Sequence, residues 1–477
     1  MVFSDIPFLI YFLPVFMVVY FIVPAKLKTT WILFGSLAFY AFSGPKYIAL
    51  LLISSVIDYC NGRFMEKFDS KPGIRRIFLV ISLVLNLGML AIFKYGMLFL
   101  ESAKSLVLLA GATPVGILAD IPSIVLPVGI SFFTFQTMSY SIDVYNRKVK
   151  AEHNFIDYMA FVCLFPQLIA GPIVRYKDVM AELNDKDSLK FDFSRYSDGI
   201  TRFLRGLFKK VLIANQVGSL WDLALMTDVS SRSVLLSVIG VFAFSLQIYF
   251  DFSGYCDMAI GLGQMMNIDL PVNFNSPYKA LTITDFWNRW HMTLSRFFTR
   301  YVYIPLGGNR KGNARTYFNL FIVFLLSGFW HGAAWTFVLW SVLNGIFVII
   351  TRMYRKTFEG MHPALGWLIT QGFFNLTLVF FRANTISDAI TFIKQILYVD
   401  FTPIDVNILY GFQTAPLKFL LDGTALTYSL PFIYVGLYYF LALFIVLGSP
   451  NSHELMKEFK PSVKNMLWSA VLIAASV

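Results

Sequence analysis

The sequence predicts an all-α protein that crosses a membrane several times. Of its 477 residues, 57% are hydrophobic and only 14% are charged, whereas soluble proteins carry about 25% charged residues. Several apolar segments approach the roughly 20 residues that a helix needs to cross a bilayer. The segments are continuous rather than alternating, which excludes a transmembrane β-barrel. We therefore expect a polytopic helical protein with one membrane domain over 1–477.

The apolar runs are candidates for spanning helices, and the shorter ones for tilted, re-entrant or interfacial helices. In chain order they are 8–23, 31–42, 47–59, 77–93, 105–118, 124–140, 156–169, 234–250, 252–266, 318–330, 334–350, 365–381 and 427–447. A further run, 466–477, is too short to span. The N-terminus lacks the basic region of a signal peptide, so we expect the first helix to be retained.

The net charge of +11 comes largely from short basic clusters between apolar runs, at 63–76, 147–150, 205–210, 310–315 and 352–356. Cytoplasmic loops concentrate Lys and Arg in this way, so we expect 63–76 and 147–150 to be cytoplasmic. The clusters are also suited to anionic lipid or an anionic donor, and they do not indicate nucleic-acid binding. We expect 178–195 to be an aqueous loop and 400–422 to face outward.

Three segments have the amphipathic pattern of helices at a membrane interface. In 285–310, Trp287, His291 and Phe298 share one side of a predicted continuous helix, and arginines line the opposite side. The segments 196–220 and 387–398 repeat the pattern. His291 is thus placed among apolar groups rather than among basic ones.

The strongest functional signal is His331, which lies inside an otherwise apolar region. An ionisable group in a span costs roughly 2–3 kcal/mol and is for that reason a functional candidate. One helix over 320–350 would be roughly 46 Å long, more than the ~30 Å hydrocarbon core. We therefore expect a break near Gly332; the alternative for His331 is a hydrogen bond inside the bundle. We expect His153, His362 and His453 to be solvated.

A second polar cluster contains Asp251, Ser253, Tyr255 and Asp257, between two apolar runs. We expect a helix break there, because capping of a following helix explains one or two of these residues but not four. Gln136 is a polar residue in a predicted span. It either lines a cavity or bonds a neighbouring helix.

The residues favour acid–base chemistry without a bound metal or a tightly bound cofactor. The three cysteines show no CxxC spacing, so neither a zinc site nor structural disulfides are expected. There is no Gly-rich phosphate loop and no Gly-x-Ser-x-Gly elbow. His331 and His291 therefore suggest general-base catalysis on a hydroxyl that attacks a thioester. A small-anion transporter, which also places His and Asp in spans, is the alternative from another class.

Long motifs resemble the membrane-bound O-acyltransferase family, and the resemblance runs almost end to end. They are QIYFDFSGYCDMAIGLG at 247–263, LPVNFNSPY at 270–278, TDFWNRWHMTLS at 284–295, YVYIPLGGNRKG at 301–312 and GFWHGAAWTFVL at 328–339. The shorter segments GISFFTFQ at 129–136, GLFKKVLIA at 206–214 and FFRA at 380–383 also match. Within the family, the motifs are most similar to the polysaccharide-acetylating branch related to alginate O-acetyltransferase.

The resemblance implies a fold and a set of site residues. It implies helices around a central funnel, with re-entrant and interfacial helices near the active site. The catalytic histidine of the family's Trp-His-Gly context corresponds to His331, and the histidine of the Arg-Trp-His motif corresponds to His291. We expect His331 to deprotonate the hydroxyl and His291 to orient the thioester or stabilise charge on its carbonyl oxygen. The expected substrate-binding residues are Asp251, Ser253, Tyr255, Asn288, Gln136 and Trp330. Asn288 stands where the branch often has arginine, and Cys256 where serine is usual.

The resemblance also implies substrates, a partner and a location. The implied donor is acetyl-CoA on the cytoplasmic side, and the acceptor is an extracellular polysaccharide or peptidoglycan. A separate exported acetyltransferase would complete the transfer, and the location would be a bacterial inner or cytoplasmic membrane in contact with lipid. The Ile-Pro-Leu-Gly-Gly-Asn-Arg segment favours this branch over D-alanyl transfer to teichoic acid, which stays the alternative enzyme. Basic residues of the amphipathic segments are expected to guide the donor by charge: Arg205, Lys209, Lys210, Arg289, Arg296 and Arg300.

Overall fold

The computed structural model describes residues 1–42, 44–122, 124–185, 190–226, 233–397 and 430–457. All regular structure in these ranges is helical, which confirms the all-α class. Five of the described helices are long and apolar enough to cross a membrane, at Pro45–Lys67, Pro72–Phe93, Val234–Met265, Trp335–Met353 and Pro363–Arg382. The predictions for 400–422 and 466–477 lie outside the described residues, and the central funnel stays a prediction.

The chain divides into two compact units, each assembled from separate stretches of sequence. The first contains Met1–Gly199, Ala259–Pro271 and Phe329–Ala334. The second contains Ile200–Met258, Val272–Gly328 and Trp335–Val477. A single domain over 1–477 therefore stays a prediction.

The first half of the chain forms some helices that are longer than its apolar runs and some that are shorter. A π-helix at Phe8–Phe12 and 3-10 turns at Pro45–Tyr47 and Gly116–Leu118 accompany the α-helices. The predicted aqueous loop 178–195 is wrong in part, because its first residues are helical. The α-helices are α1 (Leu13–Ile22), α2 (Ala25–Ala41), α3 (Ile48–Lys67), α4 (Pro72–Phe93), α5 (Gly96–Leu109), α6 (Ile130–Tyr145), α7 (Phe155–Cys163), α8 (Phe165–Leu168), α9 (Tyr176–Asn184) and α10 (Phe193–Phe208).

The second half contains the longest of the described helices and most of the residues singled out by sequence. π-Helices at Lys209–Ala214, Thr299–Tyr303 and Phe444–Gly448 and a 3-10 turn at Pro277–Lys279 are interspersed with the α-helices. These are α11 (Asn215–Met226), α12 (Val234–Met265), α13 (Ile283–Arg289), α14 (Met292–Phe298), α15 (Gly312–His331), α16 (Trp335–Met353), α17 (Arg355–Glu359), α18 (Pro363–Arg382), α19 (Ile386–Leu397), α20 (Leu430–Leu443) and α21 (Ser452–Lys457).

In the first unit, α3, α4 and α6 meet around a buried carboxylate. Asp58 has no exposed surface and accepts hydrogen bonds from Ser82, from Asn86 Nδ2 at 2.6 Å and from Ser141 Oγ at 3.1 Å. On the other side of α4, Val84 is 61% exposed. Polar groups of spanning helices face their neighbours, and apolar groups face lipid. Helix α4 therefore has one polar side that contacts its neighbours and one exposed apolar side, as expected for a helix at the lipid boundary.

Two basic loops of the first unit are joined by one aspartate. Asp69, which follows α3, accepts from Arg147 Nε at 3.0 Å and also pairs with Arg75. The hydrogen bond from Arg147 and the positive charges of both arginines lower the pKa of Asp69. Loops 63–76 and 147–150 therefore lie on the same side, as the topology prediction requires.

In the second unit, α10 and α12 approach closely through two glycines. A Cβ added to Gly206 would lie 2.5 Å from the carbonyl oxygen of Gly254, and one added to Gly254 would lie 2.8 Å from that of Gly206. Small residues permit such backbone contact between helices. The approach brings the basic residues of 202–210 next to the carboxylates of α12.

Candidate active site

His331 is the last residue of α15, and α16 begins at Trp335. The predicted helix break near Gly332 is therefore confirmed. The His331 side chain is half-buried, and its imidazole lies edge-on to the Trp330 indole, with ring centroids 5.0 Å apart. The break divides the segment into two helices, α15 and α16. It leaves the last carbonyl groups of α15 without hydrogen-bond donors inside the helix.

Two side chains that precede α5 bind those carbonyl groups. Lys94 Nζ donates to the carbonyl oxygen of Trp330, and Tyr95 OH donates to that of Phe329 at 2.6 Å. Lys94 Nζ also donates to Ser131 Oγ at 2.8 Å, although the lysine is only 8% exposed. Lys94 is a site residue that the sequence reasoning missed. Its signal in the sequence is a lysine directly after the apolar run 77–93.

Trp330 and Gln136, both expected to bind substrate, have structural contacts in the first unit. The Trp330 indole is 7% exposed and stacks on Phe135, with centroids 5.7 Å apart. Gln136 is 4% exposed and donates from Nε2 to the carbonyl oxygen of Phe161 at 2.7 Å. For Gln136 this favours the bond to a neighbouring helix over the cavity lining. The substrate roles of both residues stay predictions.

The predicted continuous helix over 285–310 is wrong, because the chain turns sharply at His291. Helix α13 ends at Arg289, and His291 adopts a left-handed conformation with φ of 44° before α14 starts. Asn273 makes this turn possible. Its side-chain oxygen accepts from Thr293 N at 3.1 Å and from Thr293 Oγ1 at 2.9 Å, and its carbonyl oxygen accepts from Met292 N at 3.0 Å. These bonds satisfy amide groups that the broken helix leaves unpaired.

The same asparagine orients the His291 imidazole. His291 Nδ1 lies 3.2 Å from Asn273 Oδ1. The atom facing Thr293 N must be an oxygen, since a backbone N–H can only donate. Nδ1 of the neutral imidazole must therefore carry the hydrogen, which leaves Nε2 as its basic nitrogen. His291 is only 3% exposed, which agrees with its predicted place among apolar groups.

The polar cluster of 247–257 also differs from its prediction. No helix break occurs there, because α12 runs without interruption from Val234 to Met265. Ser253 is 3% exposed, and its hydroxyl has no hydrogen-bond partner within the described part of the chain. Tyr255 and Asp251 are half-buried on the same helix, and Asn288 is exposed on α13.

Ion pairs explain why a continuous helix tolerates two carboxylates. Asp257 lies 2.7 Å from Lys209 Nζ and 3.3 Å from Arg202 Nε, and Asp251 pairs with Lys210. The carboxylates are therefore neutralised by α10 and the π-helix that follows it, rather than by solvent at a break. The expected role of Lys209 and Lys210 in guiding a donor stays a prediction.

The second unit brings part of the α12 cluster to His291. The Phe252 ring packs edge-on against the imidazole, with centroids 4.7 Å apart. Cys256, one turn further along α12, accepts from Asn273 Nδ2 at 3.4 Å. Cys256, which stands where serine is usual, thus contacts the asparagine that orients His291. No group of three or more potential metal ligands occurs among the described residues.

Comparison with known proteins decides the family. The sequence model of the membrane-bound O-acyltransferase family, MBOAT, matches residues 45–386. The chain belongs to this family. It is therefore a multi-pass membrane protein and an O-acyltransferase, which sets aside the transporter alternative.

Three relatives show where in the family the chain is similar. It is 40% identical over 421 residues to the peptidoglycan O-acetyltransferase of Helicobacter pylori, covering 81% of this chain and 78% of that protein. It is 38% identical over 393 residues to the probable alginate O-acetylase AlgI of Pseudomonas aeruginosa, covering 82% and 73%. Similarity to the teichoic acid D-alanyltransferase of Bacillus subtilis is 27% over 241 residues, covering 48% and 60%.

Proposed function

We propose that this O-acyltransferase is an acetyltransferase. It takes acetyl from acetyl-CoA on the cytoplasmic side of a bacterial inner or cytoplasmic membrane. It moves the acetyl group across the membrane toward hydroxyls of an extracellular polysaccharide or peptidoglycan. A separate exported acetyltransferase completes the transfer to the polymer.

The similarity to two O-acetyltransferases over about four fifths of the chain carries this proposal. The D-alanyltransferase is less similar and aligns with 48% of the chain. D-alanyl transfer to teichoic acid is therefore the second candidate. The exported partner, the acceptor and the direction of transfer are inferred from the resemblance to the polysaccharide-acetylating branch.

His331 is the proposed general base. Its imidazole accepts the proton of the attacking hydroxyl while the hydroxyl oxygen bonds to the thioester carbonyl carbon. The tetrahedral intermediate then collapses, the carbon–sulfur bond breaks, and the departing thiolate takes the proton from the imidazolium. This sequence is balanced without a metal or a second cofactor, and general-base catalysis contributes typically 10²–10⁴-fold in rate.

His291 is proposed to orient the thioester or to stabilise its carbonyl oxygen as negative charge develops there. With Nδ1 bonded to Asn273, the neutral ring presents an acceptor at Nε2. Stabilisation of an oxyanion therefore requires the protonated imidazole. Orientation is the simpler role, since it requires no protonation. The cations expected to guide the donor, Arg205, Lys209, Lys210, Arg289, Arg296 and Arg300, stay predictions, and Lys209, Lys210 and Arg289 also make ion pairs within the protein.

The donor is tested with purified protein in liposomes, supplied with acetyl-CoA labelled in the acetyl group. Release of free CoA thiol and transfer of label to added glycan oligomers are measured side by side. Protein-dependent release of CoA thiol from acetyl-CoA is expected, and transfer of label to the glycan is expected when the exported partner acetyltransferase is added. Transfer from a D-alanyl thioester carrier, with acetyl-CoA inert, would favour the second candidate and contradict the acetyltransferase proposal.

A further inference from the structure

We propose that Lys94 is a positioning residue that holds the end of α15 and thereby fixes the His331 imidazole. This inference rests on the proposed role of His331 as the general base. In this role Lys94 does not contact substrate. All of the residues that carry the inference belong to the first compact unit.

The first observation is that consecutive side chains bind consecutive carbonyl groups. Lys94 donates to the carbonyl oxygen of Trp330, and Tyr95 donates to that of Phe329. These carbonyls belong to the last turn of α15, where intrahelical partners are missing. A cation at a helix C-terminus also interacts favourably with the helix dipole. The peptide group just before His331 is thus held by an ammonium from another segment.

The second observation is that Trp330 is held through its side chain as well. Its Nε1 lies 3.4 Å from the carbonyl oxygen of Ser131, and its ring contacts Phe132 and Phe135. Ser131 accepts from Lys94 through its hydroxyl. Lys94, Ser131 and Trp330 therefore form a closed set of contacts, which leaves little freedom for the backbone to tilt at His331.

The choice of lysine argues against simple packing. A buried ammonium loses hydration, and an apolar side chain of similar length would avoid that loss. A base must be placed accurately, and a misplacement of about 1 Å can lower a rate about 10²-fold. Accurate placement gives a physical reason for a costly residue at this position.

The test compares Lys94→Met with Lys104→Met in steady-state kinetics. Lys104 is the matched control, because its Nζ also donates to a backbone carbonyl, that of Ala119, at an exposed position. We expect Lys94→Met to lower kcat by about 10–100-fold with little change in the KM for the donor. In Lys94→Ala, added ethylammonium should restore part of kcat. Lys104→Met should behave as wild type.

Hydrogen–deuterium exchange provides a readout besides activity. Amides of 329–334 should exchange faster in Lys94→Met, whereas peptides of α16 should be unchanged. If Lys94→Met does not fold, Tyr95→Phe replaces it as the test variant. Tyr95→Phe removes one hydroxyl and should lower kcat several-fold. Wild-type kcat in whichever of these two variants folds would overturn the proposal. So would a loss of kcat in Lys94→Ala that ethylammonium does not relieve.

Failure of this proposal is separable from failure of the proposed function. If His331→Ala keeps wild-type turnover, His331 is not the base and the proposed mechanism fails. If His331→Ala is inactive and Lys94→Met turns over like wild type, only the positioning role of Lys94 fails.

Discussion

Replacement of Asp257 by asparagine should strongly destabilise the second unit. The Asp257 side chain is 8% exposed and lies between Arg202, which is 5% exposed, and Lys209, which is 12% exposed. The Asp257→Asn substitution keeps the size of the side chain and removes its charge, which leaves two cations buried without a counter-charge. Breaking a buried ion pair in this way costs about 3–5 kcal/mol.

Asp251→Asn is the matched control for this change. Asp251 lies on the same helix and pairs with the lysine adjacent to Lys209, but the side chains of Asp251 and Lys210 are 46% and 29% exposed. Exposed ion pairs contribute about 1 kcal/mol or less. The same chemical substitution should therefore have a small effect on stability at Asp251 and a large one at Asp257.

Thermal unfolding in detergent can be followed with a dye that fluoresces on reaction with buried thiols. Cys163 and Cys256 are buried and report unfolding, and exposed Cys60 should be replaced by serine in every variant. With a shift of ~2–4 °C per kcal/mol, Asp257→Asn should lower the Tm by roughly 6–20 °C. Equal shifts for Asp257→Asn and Asp251→Asn would refute the reasoning from burial.

Further outcomes are expected from other parts of the chain. Gly206→Ala should cost about 1–3 kcal/mol by overpacking, measured by the same unfolding assay, whereas Gly372→Ala should be nearly neutral, since nothing lies within 4 Å of a Cβ added there; equal effects would contradict the close contact. The lowered pKa of Asp69 implies a stabilising contribution that is present above its unfolded pKa of about 3.9 and lost as pH falls through the lower folded value. The Tm difference between wild type and Asp69→Asn should therefore persist from about pH 5 to 8 and vanish in acid, and a difference that grows in acid would contradict this. Cysteines placed at Lys71 and Lys150 should react with an impermeant thiol reagent from the same, cytoplasmic side of the membrane; reaction from opposite sides would contradict the joined loops.

The sequence predicted the break at His331 because length alone required it. An apolar segment of 320–350 exceeds the thickness of a bilayer core, and the glycine and alanines after His331 mark the place. The aspartates of α12 led to the wrong prediction of a helix break, because that prediction rested on charge and not on length. Charges in an apolar run suggested a break, but the counter-charges come from Arg202, Lys209 and Lys210, which are far away in sequence and adjacent only after folding.

The turn at His291 and the role of Lys94 also depend on distant contacts. Helical periodicity continues through 285–310, and the amide groups that α14 leaves unpaired are satisfied by Asn273, 18 residues before His291. Lys94 binds a carbonyl group 236 residues further along the chain. Local patterns identify the two histidines, but they do not contain the partners that orient them.

The central claim is that His331 accepts the proton of the attacking hydroxyl. The turnover of His331→Ala tests this claim most directly. His153→Ala is the matched control, because His153 is exposed, with 66% of its side-chain surface accessible. If His331 removes the proton from the hydroxyl, His331→Ala should lower the rate of acetyl transfer by about 10²–10⁴-fold. Binding of the donor and the Tm should stay near wild type, and His291→Ala should reduce transfer less completely. Wild-type transfer by His331→Ala, or loss of transfer only in His291→Ala, would contradict the assignment.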